Sequence, residues 1–185
     1  WLIWVLSKIM LSNKKHTIEK IGMDGLKPPY MLLSNHMAFV DFERKKVYYE
    51  VHGEQGEPLV ILNGIMMSTN SWKPLMKNLT KNNIVILVDF LDQGQSSRMT
   101  EGYTHAIQVR LLHALFELLP YERYNIMGIS YGGEVAVQYA VEHPEYVRRL
   151  VLANTCARTS DWLRKIGDGW NAVARTGDGL AYYLT

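Results

Sequence analysis

Tyr124-Asn-Ile-Met-Gly128-Ile-Ser130-Tyr131-Gly132-Gly133-Glu-Val-Ala-Val-Gln-Tyr-Ala-Val-Glu142 is the stretch on which the fold turns. Residues 124–129 make a short apolar run, the pattern of a strand buried on both faces. Residues 133–142 have the length and spacing of a helix. Between them lies G-x-S-x-G. A strand that turns directly into a helix brings two backbones almost into contact, and glycines two residues either side of Ser130 give them room. The serine itself is expected in a strained conformation at the apex. The helix N-terminus behind it favours negative charge at that point. This strand, turn and helix form the setting of a nucleophile elbow.

The rhythm continues outward in both directions. Residues 46–52 alternate as a strand, and residues 53–58 read as a turn. Leu, Val and Ile at 59–62 predict a strand buried on both faces, and residues 84–90 predict another. Residues 71–82 predict a helix with Trp72, Leu75, Met76 and Leu79 on one face, and residues 105–119 a second helix stopped by Pro120. Residues 147–153 give a fourth buried strand. Strands alternating with helices imply βαβ units, a mostly parallel sheet and helices on both faces.

Composition agrees with a globular α/β protein. The chain has 185 residues, 48% of them apolar, with 20 basic and 18 acidic side chains. That excludes a disordered or disulfide-stapled chain. Cys156 is the single cysteine and no Cys/His spacing suits zinc, so neither a disulfide nor a metal is expected, and the setting is read as reducing and cytoplasmic. The absence of a polybasic block argues against nucleic acid as a partner. Residues 1–42 hold five lysines against three acids, whereas residues 43–185 are neutral. The first eleven residues are almost all apolar but too few to span a bilayer. They read either as a buried helix or as an interfacial one, with Trp1, Trp4, Lys8, Lys14 and Lys15 giving residues 1–15 peripheral membrane contact. Trp1 stands where a methionine would open a frame, so the chain is expected to begin inside a longer one.

Four ordered motifs over residues 44–185 resemble the α/β-hydrolases. Besides the elbow, Leu59-Val-Ile-Leu-Asn63-Gly64 is similar to the family's third strand and oxyanion loop. Asp89-Phe-Leu-Asp-Gln-Gly-Gln-Ser96 is similar to its Asp/Gly/Ser loop, and His143-Pro-Glu-Tyr-Val-Arg-Arg-Leu-Val-Leu152 to the segment after the elbow helix. The resemblance implies Ser130 as a nucleophile that forms an acyl-enzyme with a small acyl substrate, without a cofactor. It implies the backbone N–H groups of Tyr131 and Ile65 as the oxyanion hole. Many relatives have His-Gly where this chain has Asn63-Gly64, and Asn63 is expected to brace the loop by hydrogen bonding. Ile65, Met66, Met67 and Trp72 adjoin that loop; Met66 and Met67 are candidates for an apolar acyl pocket, and Trp72 is expected in the core. Residues 153–171, including Trp162 and Trp170, locally resemble the 3-oxoadipate enol-lactonase branch, which favours a small ester or lactone over a long lipid, within the wider expectation of an ester, thioester or lactone.

In that family the chain order is Ser, then Asp or Glu, then His. After Ser130 the only histidine is His143, which the resemblance makes a structural residue at a helix end. His105 and His113 are expected as solvated surface histidines. Asp161 is a candidate acid, Asp168 and Asp178 weaker ones. The sequence is therefore expected to end at the start of the family's cap, before the last strands, and the fragment to be inactive or nearly so.

A second pattern, Asn35-His36-Met-Ala-Phe-Val-Asp41, follows residues 26–34, a turn and short strand. Together they resemble the start of the lysophosphatidic acid acyltransferases, whose histidine is a general base oriented by the aspartate. The resemblance assigns those roles to His36 and Asp41, and sets a boundary between residues 1–42 and 43–185, with no Gly/Ser linker at Phe42/Glu43. Three readings stand: a hydrolase fragment fused to an acyltransferase remnant, an acyltransferase with its C-terminal part replaced, and a non-catalytic fold.

Overall fold

The computed structural model describes residues 36–99 and 104–184. The expected N-terminal helix, its membrane contact and the approach to the Asn35-His36 motif lie outside them. The chain divides into two units, residues 1–155 and 156–185.

The first unit is built on a six-stranded sheet, β1 (His36–Phe42), β2 (Lys45–His52), β3 (Glu57–Leu62), β4 (Asn83–Val88), β5 (Tyr124–Ile129) and β6 (Val147–Ala153), in the order β1-β2-β4-β3-β5-β6. β2 runs antiparallel to β1 and β4, while β4, β3, β5 and β6 are mutually parallel. Its helices are α1 (Met76–Leu79), α2 (His105–Leu118) and α3 (Tyr131–Glu142). The arrangement is the expected mostly parallel α/β sheet covered on both faces. On one face Val40, Phe42, Val47, Val60, Leu62, Ile86 and Val88 pack against Leu111, Leu112 and Leu115 of α2 and Val135, Ala136 and Tyr139 of α3. On the other, Ile61, Val85 and Leu87 meet Trp72, Met76 and Leu79. The apolar runs of β3 and β4 read as continuous because both faces are buried.

β1 and β2 form a hairpin in the register Val40↔Val47 and Phe42↔Lys45. Its two-residue loop, Glu43 and Arg44, has φ of 46° and 66°, the left-handed pair that matches the twist of the strands. The change of sequence pattern at Phe42/Glu43 thus coincides with a hairpin turn inside one sheet. β1 contributes Val40 and Phe42 to the same core as the helices.

Two expectations need correction. The helix expected over 71–82 is a 3₁₀ turn, Thr69–Leu75, followed by the four residues of α1. Pro74 sits inside it, and its missing N–H removes a bond a longer α-helix would need. β6, expected to be buried, exposes Leu150, Val151 and Leu152 by 37%, 49% and 45%. Among the described residues it pairs with β5 alone, at the edge of the sheet. In the second unit, α4 (Asp161–Ala174) is capped by Ser160, whose hydroxyl accepts from Leu163 N–H, and α5 (Gly179–Leu184) follows.

Candidate active site

In an open parallel sheet, binding and chemistry gather beyond the carboxyl ends of the strands. Here those ends carry Asn63-Gly64 after β3, Asp89 after β4 and Ser130 after β5. Ser130 has φ 50° and ψ −120°, well outside the regions an ordinary residue occupies. Four hydrogen bonds enforce it. Its N–H donates to Ala153 O at 2.9 Å, and its carbonyl accepts from Gly133 N–H at 2.8 Å and Glu134 N–H at 3.2 Å. Thr155 Oγ1 donates to that same carbonyl at 2.8 Å. The main chain is thereby fixed while the residue stays exposed.

The glycines are required by contact. A Cβ on Gly128 would lie 2.5 Å from Gly132 O and 2.6 Å from Gly133 Cα; one on Gly132 would lie 2.5 Å from Leu62 C and 2.6 Å from Asn63 O. Tyr131 opens α3, so its N–H is among those a helix cannot satisfy internally. Its ring is packed edge-on to Phe90 and tilted against His105, with centroids 5.9 and 5.1 Å away. Burial pushes its phenol pKa up, and a hydrogen bond with Gln108 only partly offsets this.

The neighbouring loop is held from below. Asn63 is buried, accepts from Trp72 Nε1 at 2.8 Å and donates to Val88 O at 2.9 Å. It therefore braces the loop, and Trp72 belongs to the core. Asp89 Oδ1 accepts from Thr69 N–H at 2.8 Å, and Oδ2 from Gln95 N–H at 3.0 Å. Burial pushes the Asp89 carboxyl up against the pull of those N–H groups. Behind it, Glu50 is buried and accepts from Tyr48 Oη at 2.9 Å, with His52 Nε2 at 2.6 Å. Burial alone would raise the Glu50 carboxyl, but its hydrogen bonds with His52 and Tyr48 outweigh that and hold it below its ordinary value. Tyr48 is pushed up to about 12, by burial first and by Glu50 second.

Gly64 adjoins the serine: a Cβ there would lie 3.5 Å from Ser130 Cβ. Ile65 and Met66 are exposed by 53% and 71%, and Met66 has φ 62°. Met67 turns the other way and packs against the Ile61 and Trp72 cluster. Of the two candidate pocket methionines, Met66 is open to solvent and Met67 is tied to the core.

The remaining candidates are dispersed. His36 is the first residue of β1, and Asp41, near the end of the same strand, is exposed. His143 is the C-cap of α3, about 20 Å along the helix from Ser130. It stacks on His113 at 4.0 Å, and His113 also meets Tyr139 Oη at 3.3 Å. His113 is thus half-buried in an aromatic stack, not solvated as expected. His105 is likewise not merely solvated, since its Nε2 lies 3.1 Å from Glu134 Oε2. Among the described residues, no hydrogen bond joins a histidine to Ser130. Asp161 lies in the first turn of α4, and Asp178 Oδ1 caps α5 by accepting from Leu180 and Ala181 N–H. No group of three or more His, Cys, Asp or Glu able to hold a metal occurs among the described residues, and none of their helices is long and apolar enough to cross a membrane.

Residues 57–185 match the family model described as the alpha/beta hydrolase fold. The chain belongs to the α/β-hydrolase family. A proline iminopeptidase of Lactobacillus helveticus is 31% identical to this hydrolase over 143 residues, 73% of this chain and 48% of the relative. The crystal structure of MGS-M2, an alpha/beta hydrolase enzyme from a Medee basin deep-sea metagenome library, is 49% identical with a TM-score of 0.76, covering 80% of this hydrolase and 55% of that chain. A serine hydrolase involved in carbazole degradation is 26% identical with a TM-score of 0.60, over 66% of this chain and 49% of its own. The chain spans about half the length of the curated relatives it matches.

Sequence reasoning anticipated the strained turn at Ser130 and the brace that Asn63 gives the loop beside it. It missed the Thr155 contact, whose partner Ser130 is 25 residues away, and the Glu50, His52 and Tyr48 cluster, whose members lie two residues apart on β2. The one available signal was the two-residue spacing of Tyr48, Glu50 and His52, which a strand places on one face.

Proposed function

We propose that this hydrolase uses Ser130 as a nucleophile toward a carboxylic ester, thioester or lactone. The observation that carries the reading is the backbone of Ser130: a left-handed serine, locked by four hydrogen bonds, between glycines where any Cβ would clash with main chain. Strain of this kind costs about 1–3 kcal/mol and persists where the surroundings impose it. In the reaction, Ser130 Oγ bonds to the acyl carbon and loses its proton to a base. The carbonyl oxygen takes the negative charge and accepts hydrogen bonds from Tyr131 and Ile65 N–H. The bond to the leaving group then breaks, the alcohol or thiol leaves with a proton, and water releases the acid. With no histidine on Ser130 among the described residues, residues 1–185 alone are proposed to turn over slowly. The small-molecule site needs no cofactor.

The test is labelling by a fluorophosphonate, followed by mass spectrometry of the intact chain and of its peptides. Label is expected on Ser130 and lost in Ser130→Ala. Equal labelling of the two proteins refutes the reading. The relative named as a proline iminopeptidase makes an amide substrate the second possibility, and a panel of p-nitrophenyl esters and p-nitroanilides separates the two. An acyltransferase role for His36 and Asp41 has no such geometric support. It requires acyl transfer that disappears in His36→Ala.

A further inference from the structure

The oxyanion loop has one partner that the family motif does not call for. Gln93 lies in the loop after β4, where its flanking residues Asp92 and Gly94 both have positive φ, 70° and 47°. Its carboxamide is used at both ends. Oε1 accepts from Phe90 N–H at 3.3 Å, and Nε2 donates to Gly64 O at 3.0 Å. These partners fix which end is which, since the flipped amide would set donor against donor and oxygen against oxygen. The main chain of Gln93 is also tied: its N–H donates to Phe90 O and its carbonyl accepts from Ser96 N–H, both at 3.0 Å. The amide is therefore presented to Gly64 from an anchored loop.

Gly64 O belongs to the Gly64–Ile65 peptide. In a planar trans peptide, C=O and N–H point in opposite directions. Whatever grips the carbonyl decides where the Ile65 N–H aims. Two donors grip it here, Gln93 Nε2 and Met67 N–H, the latter at 3.3 Å. The Met67 bond is local and turns with the loop. The Gln93 bond reaches across from the loop after β4 and is the one that holds the peptide plane against the sheet.

We propose that Gln93 is a positioning residue: by holding Gly64 O it keeps the Ile65 N–H directed at the oxyanion that forms on Ser130. This rests on the reading of Ser130 as nucleophile and Ile65 as donor. Losing one oxyanion donor outright typically costs about 10²–10³ in rate. Loosening its aim is expected to cost about tenfold or more.

The experiment is fluorophosphonate labelling of the full chain, with kinact and KI determined separately for wild type, Gln93→Glu, Gln93→Met and Ser130→Ala, alongside thermal melts. Gln93→Glu keeps an acceptor for Phe90 N–H but turns an oxygen toward Gly64 O; Gln93→Met removes the donor without adding charge. In both, kinact is expected to fall about tenfold or more while KI stays unchanged. A purely structural role would lower the melting temperature or the labelled fraction and leave kinact of the folded protein alone. That result overturns the proposal, as does wild-type kinact in a folded Gln93→Met should Gln93→Glu fail to fold. Label that survives Ser130→Ala overturns the nucleophile reading itself, and the role of Gln93 with it.

Discussion

Gly132→Ala tests whether the contact between the elbow and β3 governs both stability and reactivity. The added methyl would lie 2.5 Å from Leu62 C, closer still to Leu62 O, and 2.6 Å from Asn63 O. That is about 0.9 Å short of ordinary contact, and every opposing atom is main chain, so no rotamer change relieves it. Overpacking of this kind costs about 3 kcal/mol at the upper end of its range, while alanine in place of a helical glycine returns up to about 1 kcal/mol. The clash wins, leaving about 2 kcal/mol of destabilisation. For a chain of this size that is a fall of roughly 4–8 °C in melting temperature. Relief also requires α3 to back away from β3 by nearly an ångström. The Tyr131 N–H would move with it, and a misplacement of that size can cost about 10²-fold in rate. Gly169→Ala is the matched control, because nothing lies within 4 Å of its Cβ position and α4 should only gain helicity. Calorimetry and the fluorophosphonate rate measure both effects. A Gly132→Ala protein that melts within 2 °C of wild type and labels at the same rate would refute the contact argument.

Three further outcomes are expected. With solvent hydroxide as the base, the rate of Ser130 phosphonylation in residues 1–185 should rise about tenfold per pH unit from 7 to 9; a plateau near pH 7 would show that a histidine of this chain is coupled to it. Trp72→Phe should lower stability by about 1–3 kcal/mol in urea titration, because buried Asn63 Oδ1 loses its donor, and a change under about 0.5 kcal/mol would contradict that. Glu50 is held below its unfolded value of 4.5, so its stabilising contribution is present above that pH and lost as pH falls through the folded pKa. The melting-temperature gap between wild type and Glu50→Gln should therefore narrow below pH 4.5, and a gap independent of pH would count against the Glu50 and His52 contact. Asp89, pushed up by burial, works in the opposite sense, losing its contribution as pH rises through its folded pKa, so the gap isolates Glu50 better than the wild-type profile alone.

What could be read beforehand follows from the range of the interactions. The strands over residues 59–62, 84–90 and 124–129 were legible because burial on both faces leaves mostly apolar runs. Ser130 was legible because the elbow confines its glycines to a few consecutive residues. The β1–β2 hairpin was not, since Glu43 and Arg44 adopt left-handed angles without the Gly or Asn that usually announces such a turn. The 3₁₀ turn at Thr69–Leu75 hid behind a helical spacing that Pro74 interrupts. β6 has the composition of a central strand but edge exposure, and composition does not record which neighbours are present. Gln93 and Thr155 reach partners 29 and 25 residues away, separations over which no local pattern operates.

The hairpin also constrains how the two halves of the sequence can vary. Because Val40 and Phe42 enter the core while Met37, Phe39 and Asp41 face outward, inserting or deleting a single residue in β1 would exchange the two sets. A carboxylate would then press into the space of an aromatic ring. Residues 36–42 are therefore bound to the reading of the hydrolase sheet with a phase as strict as that of a codon. Whatever lies upstream of them has to join the fold in that phase.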